Sequence, residues 1–335
     1  MIQIGVIGVG YWGPNIIRNI MMNKRMNVKT CADIKEERLD FIQSIYPSIR
    51  PTKNYHEIIQ DPSIDAVAIC LPVELHYEVA KAALKAGKHV LIEKPMTANS
   101  WQAYDIINLA EQKNLIILVD HTFLFKGAVR KIVEIVNSNE IGNLYYFDSV
   151  RVNLGLFQHD VNVVWDLAPH DISIMDHVIN RKAESVVATG ADHIGNGLED
   201  VAYVTVYYPD NIIGHIHVNW LSPVKIRQTL IGGTRKMIVW DDNSPSENIK
   251  VYDKGIEVIQ TPDQIYNTLI QYRTGDMYCP KVDQTEALAV EMEHFADCIE
   301  KKCKPISDGY SGLRVVKMLE AAEKSIKNRG KEIHL

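Results

Sequence analysis

Cysteine is scarce in this chain and follows no pattern. The 335 residues include five cysteines, an odd number, and no two of them form a Cys-x-x-Cys pair. Disulfide scaffolds and structural zinc sites need paired cysteines at defined spacings, so the sequence predicts neither and we expect no metal. Such sparse use of cysteine is typical of proteins from a reducing cytoplasm.

Long apolar runs and an excess of positive charge are also missing. No apolar segment reaches the roughly 20 residues that cross a bilayer. The opening Met1–Gly8 is too short, and lacks the basic residues, to be a signal peptide. Lys and Arg total 36 against 42 Asp and Glu, a formal net charge of −6. We therefore expect a cytoplasmic protein with no nucleic-acid and no membrane partner.

A glycine-rich turn near the start of the chain is the strongest pattern that is present. An apolar run with β-branched residues leads into Gly8-x-Gly10-x-x-Gly13 and then into a helical pattern. This order is the fingerprint of a dinucleotide-binding site, because glycines permit a tight turn and close approach of a pyrophosphate. Tyr11 and Trp12 lie within the turn and join the predicted cofactor-binding residues.

An acidic residue follows this turn at the expected distance. Asp33 lies at the end of a second strand-like run, 20 residues after Gly13 (33 − 13). Its carboxylate can accept hydrogen bonds from an adenosine ribose and would repel the extra phosphate of NADP, so the sequence predicts NAD as cofactor. The alternative is an ordinary strand–turn–helix corner with no ligand.

The order of apolar patterns predicts two domains of an α/β protein. Strands and helices alternate through residues 1–121, which predicts a Rossmann dinucleotide-binding domain with a parallel sheet. Strand-like segments then accumulate in residues 122–335, which predicts an α+β substrate-binding and oligomerisation domain with a large, mostly antiparallel open sheet. The last helix could pack back on the first domain.

Three segments fall at the carboxyl ends of predicted parallel strands, where such sheets bind ligands. The cofactor-binding candidates there are Leu71, Pro72, His76, Glu93, Lys94 and His121. A lysine beside a nicotinamide suits proton transfer with a substrate hydroxyl, whereas the alternative is a solvated lysine next to Glu93. We also predict a cis Lys94–Pro95 peptide bond, since proline lowers the cost of the cis form.

A second group of polar residues lies on a predicted helix from about Trp165 to Ile179. Asp166 and His170 are four residues apart, so they share a helix face, and a carboxylate that orients an imidazole is a recurring catalytic arrangement. The alternative makes Asp166 a helix-starting residue and places Pro169 in the first turn, where proline is favoured.

The glycine turn, Glu93-Lys94-Pro95 and Asp166-x-x-x-His170, in this order and spacing, resemble the Gfo/Idh/MocA oxidoreductases over the full length of the chain. The segment Ala82–Pro95 carries the most specific likeness. The resemblance implies that Lys94, Asp166 and His170 form the catalytic centre. It also implies that the open sheet face of the second domain mediates a homodimer or homotetramer. Many relatives have an arginine where this chain has Leu124, so one contact could be missing.

A narrower similarity concerns the substrate. The glycine turn, Leu154–Asp160 and the Trp165–Asp171 helix are most similar to enzymes of surface-polysaccharide and lipid A sugar pathways. Those enzymes act at C3 of UDP-N-acetylglucosamine or its uronic acid. This similarity implies NAD-dependent oxidation of a nucleotide sugar, with Trp165, Asp166 and His170 at the substrate. Arg151, which could pair with a substrate phosphate or form a salt bridge, and Asn153 are further candidate substrate contacts.

Three other functions stay open at this point. An NADP-dependent 3-ketoreductase would work in the opposite direction on a keto-sugar nucleotide, against the charge of Asp33. An inositol or free-sugar dehydrogenase would share the same catalytic residues. A sensor that binds NAD without chemistry would keep the fold alone.

Overall fold

The structure is a computed structural model that describes residues 1–155, 161–259 and 269–335. These residues form two compact units, which we call unit one and unit two. Unit one comprises Met1–Lys126 and Thr285–Glu320, and unit two comprises Gly127–Gln284 and Ala321–Leu335. Part of the Leu154–Asp160 segment, residues 156–160, lies outside the described residues.

Unit one contains a parallel sheet in the order β3-β2-β1-β4-β5-β6. Its strands are β1 Ile2–Ile7, β2 Met26–Ala32, β3 Arg50–Thr52, β4 Ala66–Ile69, β5 His89–Glu93 and β6 Ile117–Asp120. The helices between them are α1 Gly13–Met22, α2 Glu36–Ile45, α3 His56–Gln60, α4 Val73–Lys85 and α5 Ser100–Lys113. The chain reverses its direction across the sheet between β1 and β4, and such a switch point is where a dinucleotide binds in this fold.

Unit two is built on a mixed, mostly antiparallel sheet in the order β16-β13-β12-β11-β7-β10-β9-β8-β17. The strands of this unit are β7 Leu144–Leu154, β8 Ser185–Ala191, β9 Val201–Tyr208, β10 Ile212–Asn219, β11 Leu221–Gly233, β12 Met237–Asp241, β13 Ile249–Tyr252, β14 Gly255–Ile259, β15 Leu269–Arg273, β16 Met277–Tyr278 and β17 Ile333–His334. Its helices are α6 Gly127–Asn137 and α7 Val163–Ile179. Only β7 and β10 pair in parallel among the described strands of this sheet, while β14 and β15 pair with each other. The predicted fold class is confirmed.

Helix α7 lies close against one face of this sheet. A Cβ atom on Gly214 of β10 would lie 2.2 Å from the sulfur of Met175, so glycine is required for this approach. Along β9 the side chains alternate between the buried face and the opposite face, where Tyr203 and Tyr207 are exposed. One face of the sheet is thus covered by α7, and the other is open.

The predicted boundary at residue 121 does not hold for the last two helices, because residues 285–320 belong to unit one. Helix α8 (Ala287–Lys301) and residues 309–320 of α9 (Gly309–Lys327) belong to unit one. The apolar side chains of α8 join the core under α1 and β1, with Leu288, Met292 and Phe295 at most 3% exposed. Arg25 of unit one also bonds carboxylates of α8, at 2.7 Å from Asp297. Strand–helix alternation could not reveal this packing, because these helices follow the antiparallel sheet in the chain.

Two local predictions have different outcomes. The Lys94–Pro95 bond is cis, as predicted. Helix α7 begins at Val163 rather than Trp165, because Asn162 caps it by accepting hydrogen bonds from the N–H groups of Val164 and Trp165. Pro169 therefore lies inside the helix and not in its first turn. No described helix combines the length and apolarity that a membrane span requires.

Candidate active site

The glycine turn has the tight geometry that its sequence predicts. Gly8 adopts a φ of +91°, and a Cβ atom there would lie 2.3 Å from the carbonyl oxygen of Cys70. A Cβ atom on Gly13 would lie 2.2 Å from the carbonyl oxygen of Gly8. No other residue fits these two positions, because backbone atoms cannot move aside. The turn therefore brings the start of α1 directly against the end of β1.

Asp33 supports this turn from the end of β2. Its Oδ2 accepts the Val9 N–H at 2.9 Å, and its Oδ1 accepts the Lys35 N–H at 2.9 Å. The residue is 9% exposed. A carboxylate oxygen accepts more than one hydrogen bond, so Asp33 can still receive a ribose hydroxyl.

Arg38 is a site residue that the sequence reasoning missed. Its Nη1 lies 3.5 Å from Asp33 Oδ2 and 3.2 Å from the position that a Cβ atom on Gly10 would occupy. The guanidinium therefore lies over the glycine turn, and 41% of the side chain is exposed. The sequence did offer a signal for it, because Arg38 follows Asp33 by only five residues, in the first part of α2. An arginine here adds a positive charge that an adenosine phosphate could use.

The two aromatic residues of the turn differ in position. Tyr11 is 86% exposed, whereas Trp12 donates its indole N–H to Asp120 Oδ2 at 2.8 Å. Asp120 is the last residue of β6 and is 1% exposed. The indole of Trp12 thus ties the glycine turn to the carboxyl end of another strand.

Both ring nitrogens of His76 lie at hydrogen-bond distance from backbone carbonyl oxygens, so the residue supports the site from behind its surface. Its ring nitrogens lie 3.0 Å from the Pro95 carbonyl oxygen and 2.8 Å from the Leu71 carbonyl oxygen. Burial lowers the pKa of this imidazole, so it is neutral. We therefore revise the prediction for His76: it positions the Leu71-Pro72 and Lys94-Pro95 segments and leaves no ring nitrogen for a cofactor.

The ends of β5 and β6 present polar groups that the protein itself does not satisfy. Glu93 Oε1 and both ring nitrogens of His121 are buried and have no hydrogen-bond partner among the described residues. Burial lowers the pKa of His121 to about 4, so its ring is neutral. Burial and the nearby charge of Asp120 raise the pKa of Glu93 well above its usual range. These groups fit a polar ligand such as the nicotinamide end of a dinucleotide, and Lys94 lies partly exposed beside them.

Asp166 and His170 lie one turn apart on α7, as predicted. The indole N–H of the buried Trp220 donates to Asp166 Oδ2 at 3.0 Å. A Cβ atom on Gly155 would lie 2.7 Å from this indole, so glycine is needed beside it. Trp220 fixes the carboxylate of Asp166, and its place directly after β10 gave no signal for this contact in the sequence.

Arg151, which was considered as a substrate contact or as part of a salt bridge, binds a carboxylate of the protein itself. Its Nε and Nη2 bind both carboxylate oxygens of Asp171 at 2.6 and 3.1 Å, and Ser149 donates to the same carboxylate at 2.8 Å. Arg151 is 3% exposed. The result is a buried ion pair, rather than a surface one, that fixes α7 to β7 beside His170.

The two remaining substrate candidates differ. Trp165 is 8% exposed and donates its indole N–H to Glu323 at 3.0 Å, so it anchors α7 and the predicted substrate contact is withdrawn. Asn153, near the end of β7, has a buried Oδ1 with no hydrogen-bond partner among the described residues. Asn153 therefore remains a candidate for a substrate hydroxyl. The described residues contain no group of three or more His, Cys, Asp or Glu side chains arranged to hold a metal ion.

Comparison with known families agrees with both units. The model of the oxidoreductase family with an NAD-binding Rossmann fold matches residues 2–121, and the GFO/IDH/MocA C-terminal domain matches residues 129–239. The chain belongs to the Gfo/Idh/MocA oxidoreductase family. It is therefore an oxidoreductase with a nicotinamide dinucleotide cofactor, and its dehydrogenase relatives imply a small-molecule substrate.

Individual relatives act on different hydroxyl compounds. The UDP-N-acetylglucosamine 3-dehydrogenase of Acidithiobacillus ferrooxidans is 24% identical over 322 residues, which cover 94% of each chain. The myo-inositol 2-dehydrogenase of Thermotoga maritima is 27% identical over 231 residues, 64% of this chain and 67% of that protein. The solved structure of the Acidithiobacillus ferrooxidans enzyme has a TM-score of 0.81 at 21% identity, covering 97% of this chain and 98% of its own.

Proposed function

We propose that this protein oxidises the C3 hydroxyl of a nucleotide sugar, UDP-N-acetylglucosamine or its uronic acid, with NAD. The observation that carries the proposal is the position of Lys94, directly after the carboxyl end of β5 and beside the unsatisfied Glu93 and His121. Similarity to a UDP-N-acetylglucosamine 3-dehydrogenase over 94% of both chains supports this choice of substrate.

Lys94 is proposed as the base. Its Nζ takes the proton of the C3 hydroxyl while the hydrogen on C3 leaves with its electron pair, which yields the 3-keto sugar. The nicotinamide supplies the hydride acceptor when it is bound. Gly8, Gly10, Gly13, Asp33 and Glu93 would hold this cofactor.

His170 and Asp166 are proposed as the groups that bind and polarise the same hydroxyl. Asp166 is fixed by the indole of Trp220 and places a negative charge one helical turn from the imidazole of His170. That charge favours a histidine that holds or relays a proton. Asn153 Oδ1 would accept a hydrogen bond from another sugar hydroxyl.

Oxidation of an inositol is the second candidate. It is favoured by the 27% identity to the myo-inositol 2-dehydrogenase, although that match covers a smaller share of the chain. The two candidates use the same base and the same hydride acceptor. They differ in whether the substrate carries a diphosphate.

A substrate panel tests the proposal. Purified protein is incubated with NAD or NADP and with UDP-N-acetylglucosamine, its uronic acid, or myo- or scyllo-inositol. We expect NADH formation with a UDP-sugar and transfer of deuterium to NADH when C3 carries the label. Lys94→Met should lower kcat by about 100-fold or more while NADH still binds, with Lys85→Met as a control in the same unit.

Four outcomes would contradict the proposal. Turnover of inositols alone would favour the second candidate, and faster reduction of a 3-keto sugar by NADPH would favour a ketoreductase. Tight NADH binding without turnover of any compound would favour a sensor. A Lys94→Met variant with normal kcat would refute the role of the base.

We also propose that the protein is a cytoplasmic homodimer or homotetramer that assembles through the open sheet face of unit two. This face presents Tyr203, Tyr207 and Ile213, each about 40% exposed. An apolar and aromatic face of this kind is unusual on a monomer. Light scattering should give two or four chains, and Tyr203→Lys should shift the mass toward one.

A further inference from the structure

Glu291 of α8 is a buried acid that the proposed reaction does not use. It is 0% exposed, and no N–H or O–H donor of the described residues lies within hydrogen-bond distance of either of its carboxyl oxygens. A buried carboxylate without partners costs several kcal/mol, so such a group is expected to hold its proton or to face a partner that needs one.

The groups that Glu291 faces are themselves acids at the ends of two adjacent strands. Glu93 and Asp120 are register partners on β5 and β6. Helix α8 packs against the 3₁₀ turn Thr122–Phe125 that follows β6, and His294, one turn beyond Glu291, lies 5.4 Å from the Phe125 ring. Burial, followed by contact with Asp120 and the charge of Glu93, raises the pKa of Glu291 well above its usual range.

Two carboxyl groups can bond to each other only if one of them carries a proton, because a carboxylate has acceptors alone. Asp120 already accepts the Trp12 indole at 2.8 Å, and it accepts the Thr122 hydroxyl. Asp120 therefore acts as the acceptor of this cluster, and Glu291 must supply the proton. This assignment also explains why neither Glu291 oxygen has a donor nearby.

We propose that Glu291 is a positioning residue for the dinucleotide-binding turn: as the acid, it donates a hydrogen bond to Asp120, which in turn holds the indole of Trp12. A residue of α8, late in the sequence, thereby fixes the turn near its start. Loss of this proton would place two negative charges in contact and would loosen the hold of Asp120 on Trp12. The proposal rests on dinucleotide binding but not on the identity of the sugar.

The other titratable groups near Asp120 and Glu93, together with His294 of α8 itself, bear on this proton. Cys70 follows β4, Glu93 is the last residue of β5 and Lys94 comes directly after it, and His121 follows β6. Burial lowers the pKa values of both histidines, so they are neutral near pH 7, and burial keeps the Cys70 thiol protonated. Among these groups only Lys94 could bring a positive charge near the cluster.

Cofactor binding tests the connection. NADH affinity is measured without any sugar, so failure of the substrate panel leaves this test intact. Glu291→Leu removes the donor and should weaken NADH binding about tenfold, the usual effect of losing a hydrogen bond to a charged group. Glu291→Gln, whose amide still donates, should stay within about twofold of the natural protein.

A double-mutant cycle separates positioning from general damage. In a Trp12→Phe background, Glu291→Leu should change NADH affinity by less than about twofold, because the effect passes through the indole. An equal loss in both backgrounds, or no loss in either, overturns the proposal.

The pH dependence of stability gives a readout that needs no cofactor. A raised pKa means that the folded protein keeps a proton that the unfolded chain releases, so stability falls as pH rises from the ordinary glutamic-acid value toward the raised one. For each such proton the unfolding constant rises about tenfold per pH unit. At pH values just above the ordinary glutamic-acid pKa of about 4.3, Glu291→Gln should remove one such factor, and an unchanged slope would refute the proposal. This measurement also decides the matter if Glu291→Leu does not fold.

Discussion

Asp33 and Arg38 place opposite charges at one end of the dinucleotide-binding turn. The carboxylate favours the ribose of NAD, whereas the guanidinium, 3.5 Å away, could pair with the extra phosphate of NADP. Because Asp33 is 9% exposed and bonded to two backbone N–H groups, we expect its charge to dominate and NAD to be preferred.

Removal of these two charges, one after the other, should change the preference between NAD and NADP. Asp33→Asn keeps the size of the side chain and removes its charge, so kcat/KM with NADP should rise about tenfold relative to NAD, or roughly 1.4 kcal/mol. Adding Arg38→Ala should cancel the gain, because the phosphate loses its partner. If the double variant keeps the full gain, Arg38 does not contact the phosphate.

The ion pair of Arg151 and Asp171 predicts a loss of stability instead of a change in substrate binding. Arg151→Met leaves Asp171 buried without its partner and should cost about 3–5 kcal/mol in the free energy of unfolding. Arg130→Met, which breaks an exposed pair with Asp283, should cost at most about 1 kcal/mol. Urea titration measures both variants. A normal stability with a raised KM for the nucleotide sugar would instead restore Arg151 as a substrate contact.

These residues show where reading the sequence succeeds and where it fails. The glycine turn could be predicted because its backbone geometry admits no other residue at Gly8 and Gly13. Arg151 and Trp165 could not be assigned, because the partners that occupy them, Asp171 and Glu323, are determined by three-dimensional packing. A polar side chain near a predicted site is equally able to bind a ligand or to support the fold.

Helix α7 depends on a cap that its own apolar pattern does not contain. Asn162 Oδ1 accepts two backbone N–H groups at 3.2 Å, and its amide donates to Glu199 at 2.7 Å. The sequence predicted the helix and the shared face of Asp166 and His170. The sequence misplaced the start of the helix, because Pro169 suggested that the first turn lies around that residue. The Asn162 cap starts the helix earlier, at Val163.

A matched pair of cap variants tests what this start does for the site. Asn162→Ala and Asn99→Ala each remove the cap of a helix, α7 and α5 respectively, and each should cost about 1 kcal/mol of stability. Only Asn162→Ala should also lower kcat several-fold, because the first turn of α7 carries Asp166. Thermal unfolding and steady-state kinetics measure the two effects. Equal kcat values in both variants would show that the cap serves stability alone.

The assignment of α8 to unit one concerns how the chain as a whole folds. The fold class of both units follows from strand and helix patterns, yet these patterns cannot show which core a late helix joins. Leu288, Met292 and Phe295 lie in the same apolar cluster as β1 and α1. Burial of each such side chain is worth about 1.5–3 kcal/mol. Their sum is comparable to the total stability of a typical domain, about 5–15 kcal/mol.

We therefore expect that residues 1–126 do not fold alone, although they contain the complete parallel sheet. The same fragment joined through a Gly/Ser linker to residues 285–320 should fold and bind NADH, as followed by circular dichroism and fluorescence. In that joined fragment Phe295→Ala should lower stability by about 3–5 kcal/mol, because it leaves a cavity in the shared core. A folded, NADH-binding fragment 1–126 would show that α8 only covers a core that is already complete.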